Sequence, residues 1–192
     1  SNIEIKAGGL NHFSILVDVK YKDSQKDGYP IIHKKFKDYY SKLINEHEGF
    51  SSDPGAERGL FFELYKIYGY LPITTDSHLG EYIQWAHCVV DQEAINDFYS
   101  NYKKKCMSFY DNVSYSSFFD KKNNEMNERI IPIIEAIIED SNVEEEAVNV
   151  PNKNFIDHVP NGIVVEVPGT LNKNGVSGIR LENYPSTFGS LL

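Results

Sequence analysis

Two cysteines among 192 residues, Cys88 and Cys106, are too few for a disulfide framework or a cysteine-rich zinc site, and their scarcity fits a reducing compartment. Basic residues are also short: 19 Lys and Arg stand against 28 Asp and Glu, and the formal charge of -9 repels phosphate backbones and anionic lipid. Nucleic acid and membrane are therefore not expected partners. No apolar run approaches the ~20 residues of a membrane helix, and the first residues lack the basic and apolar blocks of a secretory signal. The expected setting is the cytoplasm. A βαβ unit with G-x-G-x-x-G is missing too, which excludes nucleotide binding by that route. What is abundant is the aromatic ring. There is a single Trp, Trp85, but 13 Tyr, whose apolar body and polar tip suit a sugar-facing or interface surface. The length and a 41% hydrophobic content are those of one globular domain.

Segments follow one another as strand, helices, then strands. Residues 7–12 read as a polar turn, and Phe13 to Tyr21 (FSILVDVKY) as a strand. Pro30 opens a surface helix with Ile31, Ile32, Phe36, Tyr39, Tyr40, Leu43 and Ile44 at helical spacing, stopping near Gly49. Asp53-Pro54 start a second helix that ends at Gly69, and Ser77 caps a third running from His78 towards Val90. A further helix spans Asp91 to about Ser108, and Asn112 to Asn127 is a long loop or frayed helix. Pro132 opens a short helix striped by Ile133, Ile134, Ile137 and Ile138. Glu144 to Val150 and Gly162 to Val167 are strands, the second edged by Pro160 and Pro168. Such segregation predicts an α+β domain of mixed helices and antiparallel strands. Both ends read as continuing into further chain.

Few residues could carry chemistry. His12 sits in a turn beside Asn11, where an imidazole can be a metal ligand or simply a hydrogen-bonded structural group, and one His alone cannot hold a divalent ion. His78 and Tyr82, four residues apart, would share a helix face with Glu81 alongside and Asp76 at the helix start. A phenol ionises near ~10, so it serves as a base only if a cation stabilises its anion; otherwise Tyr82 and Trp85 are one core stripe. Cys88 next to His87 reads as a buried structural thiol pointing away from that ring. The acidic run Glu139 to Glu146 reads as a solvated helix end and loop.

Several motifs then occur together in order. Gly9-Leu10-Asn11-His12-Phe13 with Gly28-Tyr29-Pro30 come first, then the run Phe62 to Tyr70 followed by Asp76-Ser77-His78-Leu79-Gly80-Glu81-Tyr82, then Glu128 with Ile134-Glu135-Ala136. Asn149-Val150-Pro151-Asn152, Val159-Pro160 and Val165-Glu166-Val167-Pro168 complete the series. The set resembles glycoside hydrolase family 4, and specifically its C-terminal domain, whose architecture is similar to that of the lactate dehydrogenase C-terminal domain. Residues 1–192 are then the substrate- and metal-binding domain, without the N-terminal nucleotide-binding domain and the extreme C-terminus.

The resemblance implies a reaction outside the two-carboxylate scheme of most glycosidases. Hydride passes from sugar carbon 3 to NAD, a divalent metal, Mn2+, polarises the ketone, a tyrosine takes the carbon 2 proton, the aglycone leaves, water adds and hydride returns. It implies His12 as the metal ligand, Tyr82 as the carbon 2 base, Asp76 as a candidate acid or base, and Asn11, His78 and Glu81 as substrate-binding residues. An α-galactoside or α-galacturonide is the expected substrate, a homo-oligomer the expected assembly, and NAD and Mn2+ the cofactors of the full-length parent. The fragment alone is expected to be inactive. Two other classes compete: a non-catalytic carbohydrate-binding or oligomerisation module, which would leave these residues scattered, and half of a hydroxy-acid dehydrogenase, which would need an Arg and His pair that is not found.

Overall fold

The computed structural model describes residues 2–46, 58–90, 92–112 and 129–192. A hairpin of β1 (Ile3–Leu10) and β2 (Phe13–Tyr21) leads into α1 (Tyr29–Glu46), α2 (Gly59–Tyr68), the single-turn α3 (Asp76–Leu79), α4 (Gln92–Asn112) and α5 (Ile130–Ile138). Then come β3 (Val143–Pro151), β4 (Val164–Asn172), β5 (Gly175–Gly178) and the single-turn α6 (Ser186–Gly189). The strands form one antiparallel sheet in the order β2-β1-β4-β3, with β5 on β4. This is the α+β arrangement expected from the segregated element order.

β1 was read only as a turn, because Ala7, Gly8 and Gly9 offer no bulk to mark a strand. Close approach dictates those glycines. A Cβ on Gly9 would stand 2.2 Å from the Phe13 carbonyl oxygen, and one on Gly8 2.3 Å from Leu181 Cδ1, where β1 meets β4 at the Gly9 and Glu166 pair. β4 also runs on past Pro168, where the sequence predicted an edge. The register of β3 slips between Glu145 and Val148, opposite Pro168, so the missing N–H falls at a bulge rather than in a regular ladder.

Phe13, Ile15 and Val17 of β2 and Val165 and Val167 of β4 turn one face of the sheet onto Leu60 and Leu64 of α2, Leu79 of α3 and Phe188 of α6. Alternation of period two on the strands and spacings of three and four on the helices put these side chains on facing surfaces. The α1 to α2 contact is aromatic: the rings of Tyr40 and Phe62 stack at 4.0 Å, and those of Phe36 and Tyr65 lie 4.1 Å apart.

Between β3 and β4, Asn152 is 1% exposed and organises its loop. Its Nδ2 donates to the carbonyls of Ile156 and Val159, and its Oδ1 accepts from the Phe155 and Ile156 N–H groups. Asn152→Ala would orphan four buried backbone groups, some of which water can reach after relaxation, and a loss of about 2 kcal/mol in a urea melt is expected.

The helix expected from His78 towards Val90 is not formed. α3 ends at Leu79, turns follow, and a short 3-10 turn spans Ala86–Cys88. Leu79, Ile83 and Ala86 are all buried, so the helix-like spacing is real as a burial pattern but is carried by turns. Its N-cap is Thr75, not Ser77. In that 3-10 turn Cys88 is exposed, with Sγ 3.3 Å from His87 Nε2, the reverse of the buried, averted thiol expected from α-helical geometry. Tyr82 and Trp85 are exposed rather than a core stripe. Within the acidic run Glu145 is buried against the Arg129 guanidinium at 2.8 Å. The α5 isoleucines Ile134 and Ile138 are exposed, and the buried residue of that helix is Ala136. Gly49, Asp53-Pro54, Asp91, Glu128 and nearly all of the expected 112–127 loop lie outside the described residues.

Candidate metal and substrate site

The hairpin tip and α3 meet through a strap. Leu71 to Thr74 runs beside β2: Leu16 N–H donates to the Leu71 carbonyl, Ile73 N–H to the Ser14 carbonyl, and Ile15 bridges Pro72. Thr74 Oγ1 then donates to the His12 carbonyl at 2.8 Å. His12 itself takes a left-handed φ of 66°, which the two-residue connection between Leu10 and Phe13 requires. The turn is thus held by its backbone while its imidazole projects.

Three side chains converge there. The rings of His12 and His78 lie 4.2 Å apart, and Glu81 reaches both: Oε2 is 3.9 Å from His12 Nδ1 and Oε1 is 3.7 Å from His78 Nδ1. One donor atom from each residue falls within 4.8 Å of the others. These gaps are too long for hydrogen bonds. Ligand atoms at about 2.0–2.2 Å from one ion sit at most roughly 4.4 Å from each other, so both carboxylate gaps are of a size that a cation spans. The Nδ1 of His78 is buried and makes no hydrogen bond among the described residues, the condition of a nitrogen that lacks its partner. Two imidazoles and a carboxylate suit a divalent transition metal.

Tyr82 arrives at the same turn. Its hydroxyl donates to the Asn11 carbonyl at 2.7 Å, and its ring stacks on Phe13 with centroids 5.3 Å apart. It does so from a turn after α3, not from a helix face shared with His78. Asn11 meets it through the backbone carbonyl. The sequence-expected His12, Tyr82, His78, Glu81 and Asn11 therefore form one group at the surface.

Asp76 does not belong to it. It is fully buried, with Oδ2 accepting from Leu60 N–H at 2.8 Å and Oδ1 from Phe61 N–H at 2.9 Å. It closes the N-terminus of α2, which has no side-chain bond from its own preceding residue Arg58. Burial raises its pKa, against the lowering effect of the N–H groups of Phe61, Leu60 and Gly59. The residue expected as an acid or base thus stands away from the surface group and caps a helix from 16 residues downstream. Conversely, Thr74 and Phe13 position the site and were not singled out; a hydroxyl to carbonyl bond across 62 residues leaves no local pattern.

A family model described as the family 4 glycosyl hydrolase C-terminal domain matches residues 7–192. An α-glucosidase of Erwinia rhapontici is 38% identical over 100% of this chain, which spans 46% of that relative's length. The crystal structure of lplD from Bacillus subtilis matches 99% of this chain and 44% of its own with a TM-score of 0.67 at 19% identity. A 6-phospho-α-glucosidase from gut microorganisms, solved in complex with NAD and Mn2+, matches 100% of this chain and 44% of its own with a TM-score of 0.53 at 20% identity.

Proposed function

Because the chain belongs to the family 4 glycosyl hydrolases, as their C-terminal domain, we propose that it is the substrate- and metal-binding part of an NAD- and Mn2+-dependent glycosidase. The convergence of His12, His78 and Glu81 on the turn that Tyr82 also reaches is the observation that supports this reading. A non-catalytic carbohydrate-binding or oligomerisation module has no need of such a gathering.

A divalent metal bound here would supply Lewis acidity towards the sugar's oxygens, and NAD the hydride-accepting chemistry. His12 would hold the metal together with His78 and Glu81, which the resemblance suggests for the sugar and whose donor atoms lie within 4.8 Å of it, and the strap behind His12 fixes the turn that carries its ring. Tyr82 takes the proton from sugar carbon 2, its ring kept upright by Phe13. Asn11 and the rest of the turn border the sugar. Asp76 keeps α2, and with it the wall behind the site, in register. The parent is proposed to be a cytoplasmic homo-oligomer, with residues 1–192 as this one domain.

The sugar is proposed as an α-glycoside. The sequence reading favours an α-galactoside or α-galacturonide, and the Erwinia rhapontici relative adds an α-glucoside. The full-length enzyme assayed on nitrophenyl forms of all three, with NAD and Mn2+, tests the reading; the 192-residue chain alone is expected to be inactive, and turnover by it would overturn the division of labour. Metal binding is testable without turnover. Free Mn2+ followed by electron paramagnetic resonance should fall on titration with the chain, and His78→Ala or Glu81→Ala should weaken binding by about 10–100-fold or more. Unchanged affinity in both variants would remove the proposed cluster.

A further inference from the structure

We propose that a second cleft, separate from the His12 site, is a binding site for a neutral saccharide. It lies towards the far end of β2, is lined by Asp18, Gly69, Tyr70, Glu182 and Asn183 among others, and has a volume of about 470 Å³. That volume is within the ~300–1,000 Å³ of small-molecule sites. Asp18 is five residues along β2 from Phe13, so at ~3.3 Å per residue the cleft stands roughly 15–20 Å from the His12 turn. The two sites do not share a ligand.

The lining selects the chemistry. Three carboxylates, Asp18, Asp27 and Glu182, line the cleft with one lysine, Lys20, which already pairs with Asp18 at 3.0 Å, and one imidazole, His33, whose Nδ1 is engaged by the Tyr65 hydroxyl at 2.7 Å. The excess of negative charge disfavours phosphates and carboxylates. A metal ion is disfavoured by geometry: among the described residues His12, His78 and Glu81 are the group of three donors close enough for one, so the cleft's carboxylates do not converge. Asp18 keeps Lys20 and Asp27 the Tyr29 N–H as partners, but an apolar ligand would take Glu182 and the Asn183 amide out of water with nothing to replace it. What remains is a ligand carrying many hydroxyl donors on an apolar ring. Carboxylates accept from hydroxyls, the amide both donates and accepts, and Tyr70, edge-on to Tyr29 with centroids 5.3 Å apart, offers aromatic surface to C–H bonds. Gly69, left-handed at φ 76°, ends α2 and leaves its backbone open, with only His33 Cε1 near the place of a Cβ, at 3.8 Å.

The test is a ¹⁵N–¹H titration of the full chain with maltose in the presence of EDTA, so that metal at the other site plays no part. Saturable shifts at the amides of Gly69, Tyr70, Glu182 and Asn183 are expected. The double variant Glu182→Ala with Asn183→Gly, which removes two exposed side chains and keeps the left-handed backbone at residue 183, should raise the dissociation constant at these amides by about tenfold or more. Glucose 6-phosphate should shift the same amides at least about tenfold more weakly. No saturable shift at these amides, an unchanged constant in the double variant, or a stronger response to glucose 6-phosphate or spermidine would each overturn the proposal. Because the readout is local and metal-free, its failure is independent of the fate of the His12 site.

Discussion

Replacing Tyr82 by Phe is expected to lower kcat of the proposed full-length glycosidase by about 10²–10⁴-fold, the usual span for loss of a positioned acid or base. The ring stack on Phe13 survives the change, and the hydroxyl that is lost makes one exposed bond to a carbonyl. A merely structural Tyr82 would therefore cost well under about 1 kcal/mol of stability and leave turnover nearly intact. The readout that separates the two is exchange of the sugar's carbon 2 hydrogen with solvent deuterium. It should disappear in Tyr82→Phe while Mn2+ affinity stays within about twofold, since the variant leaves the three ligands in place. Exchange at the wild-type rate would remove Tyr82 from the reaction.

Asp76→Ala should instead act on folding, with a loss of about 3 kcal/mol. The variant orphans the Leu60 and Phe61 N–H groups in the interior and removes a cap, and bonds to a charged acceptor are the stronger kind. Asp76→Asn keeps one carbonyl acceptor and should recover part of the loss. The dependence on pH has a definite sign. Burial lifts the folded-state pKa above the ordinary 3.8, so the folded protein holds this proton more tightly than the unfolded chain. The contribution of Asp76 to stability therefore declines as pH rises from 3.8 through the raised value, and is level beyond it. In Asp76→Asn that decline should vanish from a series of urea melts at stepped pH. A stability-neutral Asp76→Ala that abolished activity would return the residue to the reaction.

Legibility in the sequence followed the range of the interaction that makes each feature. β2 was plain because alternation is written in adjacent residues, and β3 and much of β4 were visible as strands for the same reason, whereas their pairing came only from the fold. Local pattern failed where a distant partner decides. Asp76 stands at the start of a short helix, yet its oxygens serve α2. The spacing of Leu79, Ile83 and Ala86 imitates a helix because each faces the same core, whatever the backbone does between them. Pro168 looks like a strand end until its partner's bulge is seen. At the site, motif resemblance pointed to His12, Tyr82, His78, Glu81 and Asn11, whereas the gathering of donor atoms from His12, His78 and Glu81 within 4.8 Å is a fact of tertiary geometry.

The Leu71 to Thr74 strap has one more effect. It is pinned to β2 at Leu16 and Ser14 and to the turn at His12, and the very next residues deliver the Asp76 carboxylate to α2 and the His78 ring to its neighbour. Helix end and imidazole pair are thus set by a common ruler. Shortening that ruler by a single residue would mis-set both at once, so protein engineers who want to retune the pocket have freedom at its rim but none in the length of this connection.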